Sequence, residues 1–138
     1  MRTIGNKKGL VISLLAATTF LTIGLLSRGY CPTNKTSNPW YGILVHNLGV
    51  AGAIILLTSL LEIAGILLVG SVVGFAMFTC GRAIVCSSLS ASFVALLETA
   101  AYILAYMVAT VKGHWRIALA CTMFILLFVA SVIESGAT

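Results

Sequence analysis

Charge is what this 138-residue chain has least of. Its charged residues make up 8% of the total, against about 25% in an ordinary soluble domain. Acidic side chains number three, Glu62, Glu98 and Glu134. A soluble fold of this size keeps much of its surface in water, and a composition that is 60% hydrophobic cannot clothe that surface. Proline is equally scarce: Pro32 and Pro39 fall in one segment, so no proline interrupts the rest of the chain. Linkers and low-complexity tracts are missing, which leaves a single domain over residues 1–138. The four cysteines follow neither a zinc spacing nor a redox CxxC pattern. No nucleophile–base constellation stands out. These absences argue against an enzyme, a metal centre and a cofactor.

What is present is a series of long apolar runs. A bilayer is crossed by about 20 apolar residues in a helix. Barrel strands would alternate apolar and polar residues over about ten positions, whereas these runs are apolar on every face. The expected fold class is therefore all-α, an integral membrane bundle of four transmembrane helices with short loops. The spans are placed at about 9–27, 47–78, 87–111 and 117–133. The first could instead be a secretory signal, with Thr22-Ile23-Gly24 as a poor cleavage site; we read it as a span.

Residues 28–41 are the exposed loop. They hold both prolines, Asn34 and Asn38, with Arg28 and Lys35, all turn or breaker signals. Trp40 and Tyr41 suit the headgroup level. From Gly42 to Cys80 the chain has a single charge, Glu62. One helix of that length would rise about 60 Å, twice the hydrocarbon thickness. It could project from the bilayer, lie along the interface near His46-Asn47, or break near Glu62–Gly65 and make a fifth span. With no strong turn signal at that break, one long helix is the expectation.

With four spans, Arg2, Lys7, Lys8 and Arg82 fall on one side, and Arg28, Lys35, Lys112 and Arg116 on the other. The positive-inside rule is then balanced, and the cluster before the first span favours a cytoplasmic amino terminus. Both termini are expected in the cytoplasm, in a plasma or secretory-pathway membrane. The sequon at Asn34 is a candidate glycosylation site on the far side. The basic residues read as interfacial anchors, and nucleic acid is excluded as a partner.

Lipid tails are as apolar as leucine, so helices associate through small residues and interhelical hydrogen bonds. Gly70 and Gly74 form a GxxxG pair. Ser87, Ala91, Ala95 and Thr99 make a ladder at steps of four. Glu62 and Glu98 lie inside apolar runs, where a charge is expensive and usually faces protein or water. They are candidates for proton or cation handling, or for hydrogen bonding between helices. Leu60-Leu61-Glu62-Ile63-Ala64 echoes Leu96-Leu97-Glu98-Thr99-Ala100, and Glu134 follows at the same interval. Cys80 and Cys86 flank Arg82 beside an expected cytoplasmic turn, where palmitoylation is chemically feasible. Cys31 and Cys121 fall on one expected side as a candidate disulfide. His46 and His114 lack a third ligand.

The stretch Gly74-Phe75-Ala76-Met77-Phe78-Thr79-Cys80-Gly81, then Cys86, then Glu98, resembles part of a tetraspanin. That family has a glycine-rich second helix ending in a Gly-Phe…Cys-Cys-Gly pattern and a third helix with a glutamate. Thr79 replaces one cysteine here, and residues 112–116 are too few for the family's large disulfide-bonded loop. The resemblance implies a four-helix plan, acylation at Cys80 and Cys86, and lateral association. Two functions follow as expectations. The first is a non-enzymatic subunit or organiser whose partners are the bilayer and other transmembrane helices, in a homo-oligomer or larger complex. The second is a small oligomeric proton or ion channel using Glu62 and Glu98.

Overall fold

The computed structural model describes residues 3–29, 31 and 39–136, and it is built of helices. In chain order they are α1 (Thr3–Leu26), α2 (Trp40–Leu60), α3 (Glu62–Val85), α4 (Leu89–Thr110) and α5 (Trp115–Glu134). All five are long and apolar enough to cross a membrane. The shortest, α5, has 20 residues, about 30 Å of rise, which matches the hydrocarbon core. The all-helical membrane plan stands, but the number of candidate spans is five, not four.

The extra helix comes from a break at Leu61, where one residue turns extended (φ −137°, ψ 92°) between α2 and α3. Its N–H still bonds to the Leu57 carbonyl at 2.7 Å, and its own carbonyl accepts from the Gly65 N–H at 3.1 Å. The reversal therefore strands neither group, as a lipid setting demands. Gly65 makes the fold-back sterically feasible: a Cβ there would lie 2.5 Å from the Thr58 Cα. Glu62 consequently opens a helix at the end of the bundle and is exposed. It does not lie in mid-span, as one helix over 47–78 would require.

The helices alternate in direction. Gly9 of α1 sits against the Tyr106 ring near the end of α4. Trp40, starting α2, meets Phe128 near the end of α5 with ring centroids 5.6 Å apart. The start of α1, the α2–α3 break and the α4–α5 turn therefore share one end of the bundle, the amino end. The α1–α2 connection, the α3–α4 turn and the close of α5 share the other, the carboxyl end. An odd number of helices places the start of α1 and the close of α5 at opposite ends of the bundle, whereas four would bring them to one end.

α4 is the hub, touching every other helix, while α1 packs along α3 with a smaller contact to α4. The α1–α3 contact is a backbone approach. A Cβ on Gly81 would fall 2.6 Å from the Leu21 carbonyl oxygen, and one on Gly74 would strike the Phe20 ring at 2.9 Å. Gly70 faces Ile12 on the same contact. Such approaches multiply dispersion contacts where burial from water offers no drive. Ala91 and Ala95 are buried on α4.

The fifth helix also moves Arg82 and Cys86 to the carboxyl end, beside the exit of α1. Cys31 is disulfide-bonded to Cys86 (Cα–Cα 5.8 Å), and Cys80 and Cys121 are free. This corrects the Cys31–Cys121 pairing, since Cys121 lies in the amino-end half of α5. It also removes Cys86 as an acylation candidate, and Cys80 is buried with its thiol 3.7 Å from the Ser92 carbonyl. Arg82, 4% exposed, donates to the Ser27 and Gly29 carbonyls (2.7 Å to Gly29) and reaches the Cys86 sulfur at 3.9 Å. Its guanidinium thus closes the end of α1, where a helix leaves carbonyls unpaired. Asn34 lies outside the described residues.

Alkylation of the denatured, unreduced protein is expected to modify two thiols, Cys80 and Cys121, and reduction is expected to raise the count to four. Intact mass reads the difference. Four free thiols without reductant would contradict this pairing.

Candidate functional site

Four helices bring polar side chains together toward the carboxyl end. Asn47 on α2 donates from Nδ2 to Glu98 Oε1 on α4 at 2.9 Å. Tyr102, one turn beyond Glu98 and hence on the same face, donates from its hydroxyl to Asn47 Oδ1 at 3.3 Å. Asn47 and Tyr102 are each 4% exposed, and Glu98 is half-buried. Both faces of the Asn47 amide are thus used, which is how a buried polar group avoids its desolvation cost.

The trio opens on a cavity of about 610 Å³ whose walls also carry His46, Glu134 and Ser71. Glu134 is the last residue of α5 and His46 lies in the second turn of α2, so the cavity runs inward from the carboxyl end. Two carboxyl groups, an imidazole, an amide and a phenol therefore line one space. Chemically this set can bind a cation or an amine, or pass a proton between oxygen and nitrogen atoms.

The sequence candidates divide between the two ends. Glu98 is at the centre of this site. Glu62 is not: it lines a separate cleft at the amino end. The two glutamates proposed as a pair therefore share no site. The echo that linked Glu62, Glu98 and Glu134 falls on a helix start, a helix middle and a helix end, so it marks no repeated position. Of the groups around Glu98, Tyr102 is legible in the sequence, one turn away on the same face; Asn47 and Glu134 are not. The available signal was Asn47 itself, an amide inside an uncharged run, since such side chains characteristically bond across helices. Among the described residues, no group of three His, Cys, Asp or Glu is gathered as a metal site would require.

No protein-family model, characterised protein or solved structure matches this chain, and nothing identifies a tetraspanin-like family.

Asn47 and Glu98 are expected to be energetically coupled. Asn47→Ala leaves the Glu98 carboxyl without its donor and the Tyr102 hydroxyl without its acceptor. Interhelical pairs of this kind contribute about 0.6 kcal/mol on average and up to about 1.7 in membrane bundles. Unfolding in mixed micelles should give a coupling in that range between Asn47→Ala and Glu98→Ala. Strict additivity would mean that the contact carries no energy.

Proposed function

We propose that the protein is a non-enzymatic integral membrane protein that works by lateral association, as a subunit of a larger membrane complex. The observation that carries this reading is the outer face of α2. Val45, Gly49, Gly52 and Leu56 recur at helical spacing and form one exposed stripe, with Val45 68% and Leu56 58% exposed. A Cβ on Gly49 or Gly52 would meet nothing within 4 Å. Glycine inside a helix costs about 1 kcal/mol relative to alanine, and at Gly65, Gly74 and Gly81 that cost is offset by close contact with a neighbouring helix. At Gly49 and Gly52 the compensating neighbour is a helix from outside the bundle, seated in the hollow between the two larger side chains. Connections from α2 through α5 are short, which leaves helix faces as the principal recognition surface there.

The same reading carries an orientation. Among the described residues, Lys7, Lys8, Lys112 and Arg116 lie at the amino end, against Arg28 and the already engaged Arg82 at the carboxyl end. The positive-inside rule places the amino end in the cytoplasm. The Cys31–Cys86 bond then faces the other compartment, where disulfides persist. Reporter fusions are expected to locate the amino terminus in the cytoplasm and the carboxyl terminus across the membrane; a shared side would refute five crossings.

Purification in a gentle detergent is expected to recover a stoichiometric membrane partner or a homo-oligomer. The variant Gly49→Leu/Gly52→Leu should lose it while keeping its own helicity and disulfide. A wild-type protein recovered as a lone monomer would defeat the reading.

The polar cavity favours a second function, cation or proton handling, now centred on Glu98 and Glu134 instead of Glu62 and Glu98. Ionisable residues within a membrane domain commonly mark such pathways. Proton flux in proteoliposomes that is abolished by Glu98→Gln would establish it; no flux above empty vesicles would dismiss it.

A further inference from the structure

The amino end holds a second polar cleft of about 600 Å³, between the α2–α3 break and the α4–α5 turn. Lys112 and Arg116 line it from one side and Glu62 from the other, a surplus of one positive charge. Thr58 lines it too. Its residue is 8% exposed, and its Oγ1 is fully buried with no hydrogen-bond partner among the described residues. An unsatisfied buried hydroxyl is uncommon enough to call for a partner.

The cleft also stands at headgroup depth. Helix ends flank it, and Trp115, exposed beside it at the start of α5, is the type of residue that settles at the membrane–water boundary. Arg116 joins the cleft to an apolar groove of about 650 Å³ along α4 and α5, which passes Ile117, Ala120 and Phe124. From Arg116 to Phe124 the groove descends about 12 Å into the bilayer. A basic pocket at the interface, continuous with an apolar slot directed into hydrocarbon, has the form of an amphiphile with an anionic head.

We propose that this cleft and groove bind one phospholipid, the phosphodiester held by Lys112 and Arg116 and an acyl chain laid along α5 against Ile117 and Phe124. A single phosphodiester neutralises the surplus charge, and its oxygens accept hydrogen bonds from both basic side chains. Glu62 sets the limit: a head with further negative charge is repelled from that wall.

Full-length protein, delipidated in detergent and titrated with phosphatidylglycerol, gives lipid adducts in native mass spectrometry. Lys112→Gln/Arg116→Gln is expected to weaken adduct formation more than about tenfold. Lys7→Gln/Lys8→Gln, the same charge change at the same end, should weaken it less than about twofold. If the double variant does not fold, Lys112→Gln and Arg116→Gln are read singly, each expected to cost about fivefold. Ala120→Trp fills the groove and is expected to abolish phospholipid binding while leaving Lys112 and Arg116 in place. Equal losses in the two double variants would reduce the effect to diffuse surface charge and overturn the site. Retention in Ala120→Trp, or displacement of the lipid by millimolar inorganic phosphate, would show a soluble phosphate as the occupant and overturn the lipid.

Discussion

Hydrocarbon offers a peptide group no hydrogen-bond partner, so a chain can change direction only where it reaches water or where its own atoms close the ladder. Everything else in this protein is arranged around that restriction. The three reversals from α2 to α5 occupy helix ends, and each supplies its own closure. At Leu61 it is an exchange of backbone bonds with Leu57 and Gly65. After α3 it is the Ser87 and Ser88 amides bonding back to Ile84 and Ala83, with Ser87 held at a positive φ of 59°. Before α5 it is Gly113, whose φ of 85° suits a residue without a Cβ.

Helical runs were legible because composition forces them: long uncharged segments have no other low-energy form in lipid. The boundary between α2 and α3 was not, because its signal was chemical instead of conformational. No proline or asparagine marks it. What marks it is Thr58, Ser59 and Glu62 in succession, polar side chains collecting where the chain meets the headgroups. That boundary decides more than the count. Span parity decides which turn faces which, so a single omitted crossing put Cys86 opposite Cys31 and brought Cys121 to it instead. It also placed Glu62 in mid-membrane and balanced the basic residues that the five-helix arrangement separates.

Glu98 was legible as a costly residue, but its partners were not, since Asn47 lies far from it in sequence and Glu134 sits at a chain end. Pairing across helices depends on the rotation of each about its axis, and apolar residues on every face give no phase from which to read it. The glycines behave alike. Gly70, Gly74, Gly49 and Gly52 are indistinguishable as letters, and separate only when the space beside each is measured.

The pairing of α1 with α3 bears on how the protein is made. Synthesis releases α1 before α3, yet the surface that receives Gly24, and the guanidinium that bonds the carbonyls just past its end, belong to that later helix, produced only after α2. Until then α1 must persist without that partner, and the uncharged run from Gly9 to Leu26 lets it do so in lipid. Its docking is therefore a late event in assembly, and the bond from Cys31 to Cys86 serves as the latch that follows.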